Sequence, residues 1–263
     1  MKLGTKWVLG VSIAVAGAIA ASAPARLEYS PVPDHSLAAI LSEPSDKLIS
    51  GTEKRIVWHD DESPTEWSVV ALHGFSASRQ ESAPLAELVA GKLGANLFET
   101  RFAGHGLVEN GLVDVTAEQW LDDVANALTA GHLIGEKTVV VAMSHGAALA
   151  LSMLDHPTMQ SVDAIIMLSP NFGPADPFAM WITRPGGPLL LRLISGPTLS
   201  WDAQNERQDI YWTTSYPARA VIEVIRVVDR VLEKIQDETA PRIQVFYSPD
   251  DEVISVAALE SAY

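Results

Sequence analysis

The sequence predicts an α/β fold, a mostly parallel sheet with helices on both faces, and three observations carry that prediction. Short β-branched runs, among them Thr138-Val139-Val140-Val141-Ala142, suit strands covered on both sides. Segments with apolar residues at helical spacing alternate with those runs, as in a series of βαβ units. Turn residues close the runs, with Gly74, Gly104 and Gly146 each next to a histidine. The chain has 263 residues, enough for one such domain with an insertion. Its composition, 48% hydrophobic and 19% charged, is that of a globular protein.

The elements follow in order. Lys2 and Lys6 precede an apolar segment from Trp7 to Ala23 that ends in small residues, the pattern of a secretory signal. The segment is also nearly long enough to span a bilayer, so residues 1–23 read as a signal peptide or an N-terminal membrane anchor. Pro24 disfavours cleavage after Ala23, which leaves cleavage after Ala20 or none. Both lysines lie before the segment, so the rest of the chain is expected to be exported, to a periplasmic or extracellular site or held at the membrane. Residues 24–52 are rich in proline and small residues and read as a linker; residues 53–263 form the folded domain.

Arg55-Ile56-Val57-Trp58 predicts a first strand, His59 to Thr65 a polar turn, and Trp67 to Leu72 a second strand. Ser82 and Pro84 predict a helix start, with Leu85, Leu88, Val89 and Leu93 on one face and Gly94 as the stop. Asn96 to Phe102 is the next strand. Thr116 and Gln119 form a capping-box pair, and Trp120, Leu121, Val124 and Leu128 follow at helical spacing. Lys137 to Ser144 is a strand, Ala147 to Leu154 a buried helix, and Val162 to Leu168 a strand. The alternation breaks between Ser169 and Arg242. That insertion, about 171–241, opens with several prolines and glycines and holds Trp181, Trp201, Tyr211 and Trp212. Its helix, Ala218 to Ile235, carries Val221, Ile222, Ile225, Val228, Leu232 and Ile235 on one stripe. Ile243 to Tyr247 resumes as a strand.

Ser144 stands at the sharpest of these junctions. Ala142-Met143-Ser144-His145-Gly146 has the small-x-Ser-x-Gly spacing of a nucleophile elbow, with alanine in place of the first glycine. A serine on such a turn projects from the carboxyl end of the sheet, where open α/β folds keep their sites.

Composition removes several classes of function. A net charge of −15 opposes nucleic-acid binding, which needs a basic face against phosphates. The absence of cysteine excludes a disulfide framework, a thiolate nucleophile and Cys-ligated zinc. No H-E-x-x-H occurs, so neither metal nor other cofactor is expected, and His59-Asp60-Asp61-Glu62 reads as a solvated turn.

His73-Gly74-Phe75 after one strand, Gly104-His105-Gly106 after the next, Ser144 after the next and Asp250-Asp251 after the last together resemble the α/β-hydrolase superfamily. The nearest branch is the monoacylglycerol-lipase and serine-aminopeptidase type, with a helical cap after the sixth strand. The resemblance covers roughly Arg55 to the end. It implies Ser144 as nucleophile, the backbone N–H groups of Phe75 and His145 as oxyanion hole, and Asp251 as the acid. Asp251 fits the family's register before Val253-Ile254, which leaves Asp250 to cap the loop. His73 and His105 are implied to hold loops together, and the His145 imidazole is not expected to be the base.

The departure is the base. Triad partners come in the order serine, acid, histidine. No histidine follows Asp251, and the fold's last strand and helix have no counterpart in the remaining residues. Either the chain is a fragment or it has lost hydrolytic function; as given it would be poorly active, with an exposed final strand edge. The resemblance implies a serine hydrolase for a carboxylic ester with an apolar acyl chain or a monoglyceride-like substrate. It also permits an amidase, thioesterase or peptidase, and a non-catalytic exported binding protein on the same scaffold stays open. The partners expected are a small ester or lipid-like molecule, no nucleic acid, and a membrane through the N-terminal segment. The oligomeric state is open.

Overall fold

A computed structural model of the protein describes residues 27–28, 36–43, 47–175, 177–234 and 240–262. The N-terminal segment 1–23 lies outside them. Among the described residues no helix is long and apolar enough to cross a membrane.

A short helix α1 (Leu37–Leu41) leads to strands β1 (Arg55–Val57) and β2 (Thr65–Leu72). Helix α2 (Arg79–Leu93), β3 (Asn96–Glu99), α3 (Ala117–Ile134), β4 (Gly135–Met143), α4 (Ser144–Ser152) and β5 (Val162–Leu168) then alternate. The insertion contains a 3-10 segment (Pro177–Thr183), α5 (Gly187–Ser195), β6 (Thr198–Ser200), α6 (Glu206–Tyr211) and β7 (Ser215–Pro217). Helix α7 (Ala218–Lys234), β8 (Arg242–Phe246) and α8 (Val256–Ser261) complete the described chain.

The main sheet has the order β1-β3-β2-β4-β5-β8; only β1 is antiparallel to its neighbour. Its direction of winding reverses between β2 and β4. At that switch point the chain runs to β3 on one side and to β4 on the other, and the strand ends open a crevice. Leu72 pairs with Ala142 across it, so the residues that follow, His73-Gly74-Phe75 and Met143-Ser144, emerge side by side. The α/β class and the parallel sheet expected from the sequence are thus observed. Counted within this chain, the insertion follows the fifth strand.

Element by element, the structure agrees with the sequence most closely where signals are local. The Thr116–Gln119 capping box is closed in both directions, and Trp120, Leu121, Val124 and Leu128 are fully buried. Three expectations are corrected.

The first concerns α2, which begins a turn before Ser82: Ser78 is the cap and accepts the Gln80 N–H, while Pro84 lies inside the helix. A proline there removes the N–H that would serve the Gln80 carbonyl. Arg207 Nη2, from α6, donates to that carbonyl instead at 3.1 Å. The expected stripe is half right: Leu85 and Val89 pack on the core, whereas Leu88 and Leu93 are exposed, and the fully buried residues are Ala83, Ala86 and Ala90, because small residues let the helix backbone approach the strands.

The other two corrections concern β3 and α7. Strand β3 stops at Glu99, not Phe102; Thr100 N–H still reaches the Ala71 carbonyl at 3.2 Å before the chain turns away. On α7 the buried stripe is Ala220, Val224, Val227 and Val231 together with Ile222, Ile225 and Val228, whereas Leu232 is exposed. The helix is buried on a wide arc because it packs chiefly on α4, inside the main core, so the last part of the insertion belongs to the sheet's own helical layer.

Helix α5 is different. Leu193 and Ile194 are 74% and 75% exposed, and Trp181, just before it, is 66% exposed. An apolar cavity of about 400 Å³ lies between α5 and α7, lined by Pro188, Leu189, Leu191, Arg192, Pro217 and Ile222 among others.

Candidate active site

The buried, β-branched strand β4 ends at Met143, and helix α4 starts at the next residue with no intervening loop. That abrupt junction forces Ser144 to φ +44°, in the left-handed region that a side chain enters only at a cost. Gly146 lets the turn close: a Cβ there would lie 2.5 Å from the His73 carbonyl oxygen and 2.7 Å from that of Leu72. Gly146→Ala is therefore expected to push α4 off the β2 turn. It should lower stability by about 1–3 kcal/mol, read by denaturant unfolding, and lose much of any Ser144 reactivity.

The loop after β2 lies against this elbow. An added Cβ on Gly74 would sit 3.4 Å from Ser144 Cβ, in ordinary contact. His73 is fully buried and is engaged at both nitrogens: Nδ1 donates to the Gly74 carbonyl (2.8 Å) and Nε2 accepts the Phe102 N–H (3.2 Å). His105 does the same for the next loop, with Nδ1 on the Ala103 carbonyl (3.1 Å) and Nε2 accepting the Ser76 N–H (3.1 Å). Each imidazole staples one strand-end loop to its neighbour, the loop-holding part the sequence assigns them. Trp120 Nε1 donates to the Ala103 carbonyl (3.0 Å), and Asp123 accepts the Ala103 N–H (2.6 Å).

Phe75 and His145, whose backbone N–H groups are the two expected oxyanion donors, are the residues that directly follow Gly74 and Ser144, the two in contact here. The His145 ring is fully buried, 5.1 Å from the Trp120 ring and 6.1 Å from that of Phe75. Among the described residues neither of its nitrogens finds a hydrogen-bond partner, and burial lowers its pKa to about 3. A fully buried imidazole held neutral by its surroundings is unlike a general base.

Asp251 follows β8, two strands from β4 on the same edge of the sheet, so about 10 Å separates the two strands. Contacts join the two ends of the site. The Asn171 N–H donates to the Ser144 carbonyl (3.1 Å), Ser255 N–H to the Gly173 carbonyl (2.8 Å), and Ala175 N–H to the Val253 carbonyl (3.1 Å). Asp251 Oδ1 accepts the N–H groups of Val253 (2.9 Å) and Ile254 (3.1 Å). The loop-capping part expected of Asp250 thus falls to Asp251, because only Asp251 has the following backbone amides within reach; Asp250 is exposed.

Two features of the site were not read from the sequence. One is Glu81, whose Oε2 accepts the Gly74 N–H at 2.6 Å. Burial raises its pKa to about 7. The Ser78-x-x-Glu81 spacing was the available signal. The other is the seat of the insertion on the loop that follows β2. Thr213 N–H donates to the Ser76 carbonyl (2.7 Å), and the Tyr216 ring meets that of Phe75 edge-on at 5.0 Å. No local pattern announces these contacts, which span more than a hundred residues.

A family model described as Serine aminopeptidase, S33, matches residues 63–263. Among solved structures, one from work on the metagenome-derived lipolytic enzymes LipS and LipT is similar, with a TM-score of 0.67 at 18% identity, over 82% of this chain and 84% of that one. The monoacylglycerol lipase of Paleococcus ferrophilus gives 0.60 at 15% identity, over 80% of this chain and 82% of that one. A soluble variant of the monoglyceride lipase of Saccharomyces cerevisiae gives 0.60 at 12%, over 80% and 77%. At these identities the likeness speaks to the fold. No curated protein sequence matches the chain.

Proposed function

Since the chain belongs to the serine aminopeptidase S33 family and has the α/β-hydrolase fold, we propose that it is a serine hydrolase that cleaves a carboxylic ester through an acyl-enzyme on Ser144. The observation that carries this reading is the elbow itself, a strained serine at φ +44° packed against the Gly74 turn at the sheet's switch point. Strain of this kind clusters where a side chain must be presented for chemistry.

In the proposed reaction Ser144 Oγ attacks the ester carbonyl. The N–H groups of Phe75 and His145 receive the oxyanion, each such donor being worth roughly 3 kcal/mol in the transition state. A hydroxyl is a weak nucleophile without an adjacent base. The base this reading requires is a histidine oriented by Asp251. An apolar acyl chain is the favoured substrate class, because the insertion exposes the apolar face of α5 and holds an apolar cavity between α5 and α7, lined in part by Pro217, the neighbour of the Tyr216 that packs on Phe75. The lipolytic activity named for the similar structures agrees with that class.

One observation favours a second reading, a binding protein on the same scaffold. His73 and His105 are committed to backbone groups and His145 is fully buried, so none of the three serves Ser144. A fluorophosphonate probe applied to the full-length protein separates the two. The hydrolase reading expects labelling that maps to Ser144, and hydrolysis of medium-chain monoglycerides ahead of peptide amides. Absence of labelling, or labelling that persists in Ser144→Ala, leaves the binding protein.

A further inference from the structure

The N-terminus of α2 contains an acid at the capping-box position whose side chain is spent elsewhere. Ser78 is the cap of that helix and Glu81 stands three residues later, the spacing at which the acid normally reaches back to the cap's own N–H. The same chain shows the ordinary outcome at α3, where Gln119 Oε1 accepts the Thr116 N–H at 3.0 Å. Glu81 does not close its box. Its carboxylate leaves the helix and takes the Gly74 N–H at 2.6 Å, seven residues upstream, in the turn between β2 and Phe75.

The place it occupies is specific. A methyl group built on Gly74 would meet Glu81 Oε2 at 3.0 Å, Glu81 Oε1 at 3.3 Å and Ser144 Cβ at 3.4 Å. Both carboxyl oxygens and the serine side chain therefore border one methyl-sized volume. The Gly74 N–H is consumed by the Glu81 carboxyl, and the next amide in the chain is that of Phe75, the expected oxyanion donor. A bond of this length restrains the His73–Gly74 peptide group to which that N–H belongs.

We infer that Glu81 is a positioning residue of the serine site, whose carboxyl anchors the His73–Gly74 peptide and, with the His73 Nδ1 bond to the Gly74 carbonyl, fixes the turn that presents the Phe75 N–H to the oxyanion position beside Ser144. The inference rests on the reading of Ser144 as nucleophile. The carboxyl also lies in low-dielectric surroundings, consistent with its raised pKa, so the bond it makes is shielded from competing water.

The test uses the full-length protein and two variants, Glu81→Ala and Glu81→Gln. Amide hydrogen exchange is followed at residues 73–77 and, as a control for global folding, at α3; fluorophosphonate labelling of Ser144 is followed in parallel. Glu81→Ala should speed exchange at 73–77 roughly tenfold or more, leave α3 unchanged, and slow labelling by about 10- to 100-fold. Glu81→Gln keeps a carbonyl acceptor and should recover most of the labelling rate, which also covers the case in which the alanine variant fails to fold. Unchanged exchange at 73–77 in the alanine variant overturns the inference whatever happens to labelling. So does loosened exchange with labelling at the wild-type rate, or a glutamine variant as slow as alanine. A wild-type protein that is not labelled at Ser144 overturns the hydrolase reading and the inference together.

Discussion

Ser144→Gly should make the protein more stable and, at the same step, remove its covalent reactivity. The two effects have one cause. Ser144 sits at φ +44°, where a Cβ crowds the backbone and costs about 1–2 kcal/mol; glycine adopts the same angle freely. Thermal or denaturant unfolding should therefore show a gain of roughly 1 kcal/mol, reduced by the larger entropy glycine gives the unfolded chain. Loss of a catalytic serine in a hydrolytic triad lowers turnover on the order of 10⁶, so labelling and ester cleavage should fall to background. Ser144→Ala loses the reactivity without the gain, because alanine keeps the Cβ. A glycine variant less stable than wild type would mean that the elbow is relaxed, and the structural argument for the nucleophile would go with it.

Acidification should destabilise the protein before its ordinary carboxylates titrate. Three histidines next to the elbow are fully buried, and burial is the main reason each is held neutral. The pKa of His105 is lowered to about 4, that of His145 to about 3, and that of His73 well below the ordinary value, with His105 nearby as its second cause. In the unfolded chain each takes up a proton near 6.5. The stability they contribute is complete above that value and is lost as the pH falls from it toward the folded values.

Glu81 and Asp123 act in the opposite sense. Burial raises them to about 7 and about 6, so their contribution is complete below the usual carboxylate range and is lost as the pH rises through 6 to 7. Between pH 6.5 and 4.5 three histidines outweigh two acids, and the net effect is a loss on acidification. With shifts of two or more pH units on His105 and His145, the loss should reach several kcal/mol by about pH 4. Melting temperatures measured across this range should fall steadily. His145→Leu should flatten the slope by about one proton, since neither His145 nitrogen makes a hydrogen bond that leucine would forfeit. Melting temperatures that hold level or rise on acidification would contradict this account.

Much of the fold is legible in the sequence because its signals act over a few residues. A β-branched run followed by Ser144-His145-Gly146 specifies strand, turn and helix with no outside information. The same is true of Thr116 and Gln119, which close their capping box as the spacing requires. Helix faces are less legible. Leu88 and Leu93 of α2 look like part of a core stripe, yet they are exposed and the sheet takes the alanines, because distance of approach outweighs hydrophobicity when a helix packs flat on strands. On α7 the buried arc is set by α4, a partner some seventy residues away in the chain.

The site divides along the same line. Ser144, Phe75, His145 and Asp251 are named as candidates from motifs, since each follows a strand end and a short pattern. Glu81 could not, because its spacing predicts a local cap and only the folded chain brings the Gly74 amide within its reach. The loop-capping of Asp251 and the seating of Thr213 and Tyr216 on the loop after β2 are likewise decided by proximity. The sequence by itself determined the α/β order, the elbow and the loops that border it, since backbone conformation and strand pairing respond to neighbouring residues. The tertiary structure alone decided which faces are buried, which polar groups meet and which histidines are spent on the backbone. Those outcomes depend on desolvation and contact between segments far apart in the chain.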